Sequence, residues 1–312
     1  MEKIRASRNR TLCLTELDKT RLRRSILSES TKLDLTKVHG HILLGDYVEH
    51  IANLPDESVD LLILDPPYNL NKKFDQLKFN KQSVQAYTTW LEEVIHKCFP
   101  LLKRTASIYI CGDWYTSASI FQAASQHFIV RNRITWEREK GRGAKRNWKN
   151  TSEDIWFCTV SNDYTFNVDQ VKLRRKVIAP YTKPNGQPKD WNQTKFGKFR
   201  DTHPSNLWSD ITIPFWSMPE NTDHPTQKSE KLVAKLILAS SQPGDLVLDP
   251  FLGSGTTSVV AQKLGRQHLG IEINLEYCLL AAYRLERAIT DTEIQGFTDG
   301  VFWERNTIKK IN

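Results

Sequence analysis

Cysteine is scarce and scattered in this chain. The five cysteines, Cys13, Cys98, Cys111, Cys158 and Cys278, are odd in number and widely spaced, and no two form a CxxC pair. A disulfide framework or a thiolate zinc site is therefore not expected, and a reducing compartment such as the cytoplasm fits. No run of about 18 apolar residues exists to cross a bilayer, so no membrane partner is expected. The opening MEKIRASRNR has no apolar core behind its charges, so no secretory leader is expected. Internal repeats and low-complexity tracts are missing. So is the GxGxxG fingerprint, which counts against a nicotinamide dehydrogenase of doubly wound fold.

What is present suits a globular chain of one large domain, or a catalytic domain with a smaller recognition region. Of 312 residues, 39% are hydrophobic and 26% charged, enough to bury a full core. The formal net charge of +8 suits a polyanionic partner.

Strands are expected at His41–Asp46, at Val59–Leu64 (VDLLIL), at Ser107–Cys111, at Ile134–Trp136 and at Ile155–Val160. VDLLIL is a near-continuous apolar run, as in a parallel strand covered on both faces. Residues 84–99 carry apolar side chains at helical spacing, and 116–127 also read as helix. Between 138 and 223 the periodicity weakens. The alternation then returns, with helices near 229–241, 256–264 and 275–289 and strands at Leu246–Asp249 and His268–Glu272. Strands alternating with helices predict an α/β sheet with helices on both faces.

Three stretches carry chemistry. The first, Asp65-Pro66-Pro67-Tyr68, follows a buried strand and should stand at the carboxyl edge of the sheet, where ligands of open α/β sheets bind. The prolines remove two backbone donors. The Asp65–Pro67 carbonyls and the Asp65 carboxylate can then face a ligand that offers an NH2 group, and Tyr68 can stack on a flat base. Taken alone, the stretch also reads as a loop capping a strand.

The second, from Asp249 through Phe251, Gly253, Ser254, Gly255 and Thr256, follows a strand and opens a helix. Its glycines allow a close backbone approach, and free N–H groups at a helix start favour an anionic ligand. At the end of the next strand stands Glu272, where an acid can bind the two hydroxyls of a ribose. The third, Asp223 to Lys228, precedes a helix; its cation can pair with a ligand carboxylate, and alone it is only a helix entry.

Together these stretches resemble the DNA amino-methyltransferases in the permuted order called the beta class, from about Leu43 to Leu285. In that family the DPPY motif comes first, a recognition region follows, and the HPTQK stretch and the FxGxG loop come last; the order here is the same. The resemblance implies an α/β, mostly parallel, doubly wound sheet of the Rossmann-like S-adenosylmethionine-dependent methyltransferases. It implies a catalytic half at 41–137, a target-recognition insert at 138–223 and a cofactor-binding half at 224–290. Outside it, residues 1–40, polar and rich in Arg and Lys, read as a basic arm, a loosely docked helical extension or a solvated tail, and 291–312 as a C-terminal tail.

It further implies S-adenosylmethionine as methyl donor, no metal, and double-stranded DNA as substrate. Asp65 as the motif's first residue points to adenine N6, on a base flipped out of the duplex. Cytosine N4, or an amine of RNA or protein in the same pocket, stays an open alternative, as does a non-catalytic DNA-binding protein. Relatives are often dimers and often belong to restriction–modification systems. A homodimer, a cognate restriction endonuclease and a bacterial or phage origin are therefore expected.

Carried over residue by residue, Asp65 accepts one hydrogen of the target amine and the Pro66 carbonyl the other, Pro67 completes the loop, and Tyr68 stacks on the base. Phe251, Gly253 and Gly255, with Ser254 and Thr256, line the methionine and ribose pocket. Asp249 holds the cofactor's amino group, Glu272 its ribose hydroxyls, Asp46 lies near its adenine, and Lys228 approaches its carboxylate. One departure is Ser229 where the family usually has Pro; Ser is a good N-cap, so the helix is still expected to start there.

The interior of the 138–223 block is strongly basic. Between Lys172 and Arg200, Lys or Arg occupies positions 172, 174, 175, 176, 183, 189, 195, 198 and 200, against the single acid Asp190 in that span, with Tyr181, Trp191, Phe196 and Phe199 interleaved. Upstream lies RGAKRNWK at 142–149. Expected DNA contacts are Arg142, Lys145, Arg146, Arg174, Arg175, Lys195 and Arg200. Backbone contacts of this kind give salt-dependent, sequence-blind affinity. Base reading needs groups at base edges, for which Arg174, Arg175, Asn185, Gln187 and Asn192 are candidates.

Overall fold

The structure is a computed structural model, and it describes residues 6–28, 39–74, 77–138, 145–178, 180–194 and 197–305. In chain order the strands are β1 (Ile26–Leu27), β2 (His41–Leu44), β3 (Val59–Leu64), β4 (Lys72–Phe74), β5 (Leu77–Phe79), β6 (Leu102–Gly112), β7 (Ile129–Glu137) and β8 (Ser152–Thr159). They continue as β9 (Leu173–Lys176), β10 (Asn192–Thr194), β11 (Gly197–Thr202), β12 (Leu207–Trp208), β13 (Leu246–Asp249), β14 (Gln267–Glu272), β15 (Phe297–Thr298) and β16 (Val301–Trp303). The helices are α1 (Glu16–Leu22), α2 (Tyr47–Ile51), α3 (Val84–Cys98), α4 (Thr116–Ala124), α5 (Glu230–Ser240), α6 (Thr256–Lys263) and α7 (Leu275–Ala288).

The apolar run of β3 explains the architecture. Leu62 and Leu64 point into a layer formed by Leu91, Val94 and Ile95 of α3 and Ile120 of α4. Leu61 and Ile63 point the other way, onto Leu232 and Leu236 of α5 and Val260 of α6. A strand whose alternate side chains both meet helices must lie inside a doubly wound sheet. Among the described residues that sheet has nine strands, in the order β1-β2-β14-β13-β3-β6-β8-β7-β12. Only β8 runs against the others. Because β2, β14, β13 and β3 are parallel neighbours, the segments that follow them emerge at one rim.

Three boundaries differ from the sequence expectation. Within the stretch read as an arm or a loosely docked helical extension, Thr15 and Asp18 form a capping box that starts the helix α1, and the stretch goes on to join the large sheet, β1 pairing in parallel with β2 as an edge strand. Leu22 and Ile26 are buried against Cys278 and Leu279 of α7. A two-residue strand is too short to show a period, so only the packing reveals it. Next, β8 falls inside the 138–223 block yet lies in the large sheet between β6 and β7, so the block is not one insert.

Finally, the stretch read as a tail forms the hairpin β15–β16, and β16 pairs in parallel with β9, Phe302 opposite Leu173. The second sheet, in the order β10-β11-β9-β16-β15, therefore joins the basic segment to the chain's last described residues. Partners so far apart in sequence leave no local signature.

Helix α5 also starts differently. Ser229 is its N-cap but makes no side-chain cap bond. The buried Glu220 carboxylate accepts from the Glu230 N–H at 2.7 Å instead. Beneath this helix Arg284 donates to Glu230 at 3.0 Å and Lys263 to the same carboxylate at 2.8 Å, while burial and the nearby Glu230 push the Glu220 carboxyl up to about 8. All five cysteines are free. Among the described residues no helix is long and apolar enough to cross a membrane.

Candidate active site

At the shared rim lies a cavity of about 370 Å³, within the size range of cofactor sites. It is lined by Asp65, Pro66, Pro67 and Tyr68 from the loop after β3, and by Asp249, Phe251, Gly253, Ser254 and Thr256 from the turn after β13. Glu272 at the end of β14, Asp46 after β2, and Lys228 also line it. Segments separated by most of the chain thus face one space. Of the residues expected in the pocket, only Gly255 is not on its wall.

Gly255 works from behind. It is the N-cap of α6 with φ +85°, and a Cβ there would come within 2.8 Å of the Ala281 backbone on α7. Gly253, with φ +55°, lies so close to His224 that a Cβ would meet its ring at 3.1 Å. The two glycines therefore let the turn press against the elements behind it while its face stays open. Arg284 locks the turn from below by donating to the Ser254 carbonyl at 2.9 Å and to the Thr256 hydroxyl at 3.0 Å.

The acids on this wall differ in what holds them. Glu272 accepts from the Gly253 N–H at 2.8 Å and from the Asn274 N–H at 2.8 Å, and burial pushes its carboxyl upward. Asp46 caps α2 through the Val48 N–H at 2.9 Å. Asp249 accepts from the Phe251 N–H at 3.0 Å, and no cation pairs with it among the described residues. Burial raises its carboxyl to about 7, even though a bond from Thr257 works the other way. A buried carboxylate without a counter-ion fits a ligand that brings an ammonium. Beside it, Phe251 packs on Tyr47 and Trp90, with ring centroids 5.0 and 6.4 Å away, giving an apolar slot for a flat ring.

The Asp65 loop is fixed by polar contacts. Tyr87 donates to the Pro67 carbonyl at 2.9 Å, so that carbonyl does not face the cavity as the sequence reading expected. Among the described residues nothing donates to the Pro66 carbonyl. Asn69, buried, accepts from the Gln82 N–H at 2.7 Å and its own N–H donates to the Thr116 hydroxyl at 3.2 Å.

Lys228 is placed differently from its expected role. Its ammonium lies 2.9 and 2.8 Å from the two Asp65 oxygens, 3.0 Å from the Tyr68 hydroxyl and 3.3 Å from Glu153. Burial works against this charge, but Asp65 and Glu153 outweigh it and hold the ammonium protonated. A buried cation settles on the nearest carboxylates, and here those of Asp65 and Glu153 hold Lys228 at the cavity wall. The Tyr68 hydroxyl in turn lies 3.0 Å from Asp65 and 3.2 Å from Glu153, which anchors the ring at the cavity wall. Burial, then the charges of Asp65 and Glu153, keep Tyr68 protonated.

Glu153 on β8 and Arg138 just after β7, which pair with each other, carry no motif. The signal that could have found Glu153 is an acid at the head of the apolar strand SEDIWFCT.

The expected DNA contacts divide. Arg142 and Lys195 lie outside the described residues. Lys145 and Arg146 are exposed beside Trp148, which is 93% exposed. Arg174 is held by Asp201 through two bonds of 2.7 Å, Arg200 pairs with Asp190 at 3.2 Å, and Arg175 lies 3.8 Å from Glu304. The strand pairing of β9 and β11 puts Arg174 directly opposite Asp201. Its guanidinium fork is thus already used inside the second sheet.

Sheet order and rim together place the fold among the Rossmann-like S-adenosylmethionine-dependent methyltransferases. Comparison with known proteins narrows this class. The family described as DNA methylase matches residues 59–283, and the chain belongs to that family, in its beta class. It is 37% identical over 254 residues to the DNA adenine methyltransferase YhdJ of Escherichia coli K12, covering 79% of this chain and 83% of the relative. It is 34% identical over 263 residues to the type II methyltransferase M.HpaI of Haemophilus parainfluenzae, covering 82% of this chain and 76% of that one. Among solved structures it is similar to PvuII DNA methyltransferase (cytosine-N4-specific). The TM-score is 0.62 at 17% identity, with 85% of this chain and 92% of that chain covered, a likeness of fold.

Proposed function

We propose that this DNA methyltransferase transfers the methyl group of S-adenosylmethionine to adenine N6 in duplex DNA. The observation that carries the proposal is the single cavity shared by Asp65, the open Pro66 carbonyl and the glycine turn. The relative named a DNA adenine methyltransferase and the Asp at position 65 support adenine over cytosine.

The residues fit the donor: an apolar slot at Phe251, Tyr47 and Trp90 for a flat ring, Glu272 for ribose hydroxyls, and the uncompensated Asp249 for an amino group. S-adenosylmethionine supplies a methyl already activated on a sulfonium, so no protein nucleophile is required. Asp65 accepts one hydrogen of the target amine and the Pro66 carbonyl the other. These two bonds draw the nitrogen toward a pyramidal shape, localise its lone pair and stabilise the positive charge that develops on it. A nitrogen–carbon bond forms, the carbon–sulfur pair returns to sulfur, and the proton shed by nitrogen leaves to water past Asp65. The loop's task is therefore placement of the amine in line with the donor.

An adenine amine lies in a base pair, so the base leaves the helix to enter the cavity. Stacking on Tyr68 offsets part of that cost, about 1–3 kcal/mol. The exposed Lys145, Arg146 and Trp148 form the described part of the DNA face. The same reading places the enzyme in a bacterial or phage-infected cytoplasm as the modification partner of a restriction endonuclease, acting as a homodimer. Light scattering and a restriction challenge of methylated plasmid test those two partners.

The central experiment is methylation of a plasmid with labelled S-adenosylmethionine, with RNA and protein in parallel, followed by mapping of the modified bases. N6-methyladenine at one short sequence is expected; N4-methylcytosine, or label in RNA or protein alone, would refute the assignment. Asp65→Ala should lower methyl transfer by about 100- to 1,000-fold while sparing DNA binding. Retained turnover would remove Asp65 from the mechanism.

A further inference from the structure

One ammonium occupies both oxygens of Asp65, with Lys228 Nζ 2.9 and 2.8 Å away. Methyl transfer as read above needs one of those oxygens for an amine N–H. A cation held at that carboxylate also opposes the positive charge that gathers on the amine as the methyl arrives. Lys228 must therefore give ground when the base enters. Its side chain is only 10% exposed, and a buried charge stripped of its partner is costly. It needs a second counter-ion within the pocket.

Glu153 is that counter-ion. Its side chain is 5% exposed, and its Oε2 lies 3.3 Å from Lys228 Nζ and 3.2 Å from the Tyr68 hydroxyl. Its Oε1 is taken by Arg138. The carboxylate is thus turned with one oxygen anchored on the strand side and the other facing the ammonium. Strand pairing fixes the anchor, since Glu153 lies opposite Trp136 of β7, two residues before Arg138. Asp65 and Glu153 balance Lys228 and Arg138, so handing the ammonium from one carboxylate to the other leaves the charge of these four groups unchanged.

We propose that Glu153 is a positioning residue for methyl transfer, an inference that rests on the role assigned to Asp65 above. It takes over the Lys228 ammonium, and the Tyr68 hydroxyl with it, when the target amine claims Asp65. Tyr68 loses its tie to Asp65 at the same moment and keeps the one to Glu153, so its ring stays at the cavity wall to receive the base.

The test is Glu153→Gln, which keeps the shape and removes the charge. Single-turnover methyl transfer should fall about 10- to 100-fold, while the Kd values for S-adenosylmethionine and for duplex DNA stay within about twofold. In a Lys228→Met background the same change should cost less than about threefold, because no ammonium remains to be moved. An unchanged rate in Glu153→Gln, or equal losses in both backgrounds, overturns the proposal.

If Glu153→Gln does not fold, the wild-type enzyme with sinefungin and a duplex carrying the mapped site decides. Lys228 should then be bonded to Glu153 and out of reach of Asp65; a Lys228 still on Asp65 with the base in the cavity overturns the proposal. A wild type that methylates no DNA would overturn the assigned reaction and this inference together. An active wild type matched by Glu153→Gln overturns the inference alone.

Discussion

Asp249 is buried on the cavity wall, and the hold on the donor's amino group proposed for it comes at the expense of folding. Burial raises its carboxyl from 3.8 to about 7, and the described residues supply no cation to offset this. A group whose folded pKa exceeds its unfolded one binds more protons when folded. Between about pH 4 and pH 7 the contribution of Asp249 to the stability of the unliganded enzyme should therefore fall as pH rises, and a comparison with Asp249→Asn isolates it. Asp249→Asn removes that penalty, and at neutral pH it should raise stability by about 2 kcal/mol, a few degrees in Tm. The same variant should weaken S-adenosylmethionine binding by at least about tenfold, since the ligand's ammonium loses its counter-charge. Thermal melts and calorimetry on one preparation check both halves. A lower Tm would show that the charge is already compensated. Gly255 makes the complementary point: its φ and the Ala281 backbone behind it demand glycine for a steric reason, without contact with the cavity.

At the scale of elements, the hairpin β15–β16 is part of the fold. Phe302 is fully buried, packed in one cluster with Val171, Leu173, Leu232 and Leu236. That cluster joins the second sheet to the face of the large sheet covered by α5. Lys231 of α5 adds a bond to the Trp303 carbonyl at 2.5 Å and an ion pair to Asp210 at 2.7 Å. Phe302→Ala should cost about 3–5 kcal/mol, read by denaturant unfolding. A loss under about 1 kcal/mol would mean that the hairpin is only loosely docked. Little in the local residue pattern announces this docking. Two strands of two and three residues carry no usable period, and β9, the partner of β16, lies far back along the chain. The long elements were legible, because VDLLIL and the helical spacing of 84–99 are repeated local signals.

For the whole molecule, the net charge of +8 becomes useful only through where it is displayed. Several arginines of the basic segment, Arg174 and Arg200 among them, are paired with acids across the second sheet. The exposed Lys145, Arg146 and Lys149 remain on the surface near Trp148. Replacing all three by Ala should weaken DNA binding and lower the magnitude of the salt slope by up to about 3, one per lost phosphate contact. Arg174→Ala, by contrast, should act mainly on stability. Binding titrations at several salt concentrations separate the two, and an unchanged slope in the triple variant would remove this stretch from the DNA face.

The sequence by itself determined the local chemistry. It set which strands are apolar enough to lie between helix layers, where two prolines strip donors from a loop, and where glycines open a turn. These follow from side-chain period and backbone sterics, which act over a few neighbours. Only the tertiary structure decided how the groups are paired. It turned the Pro67 carbonyl to Tyr87 and left that of Pro66 open. It put Lys228 on Asp65, 163 positions away, and set Glu153 beside both. Electrostatic partners are chosen by distance and burial in three dimensions, and no local pattern encodes them.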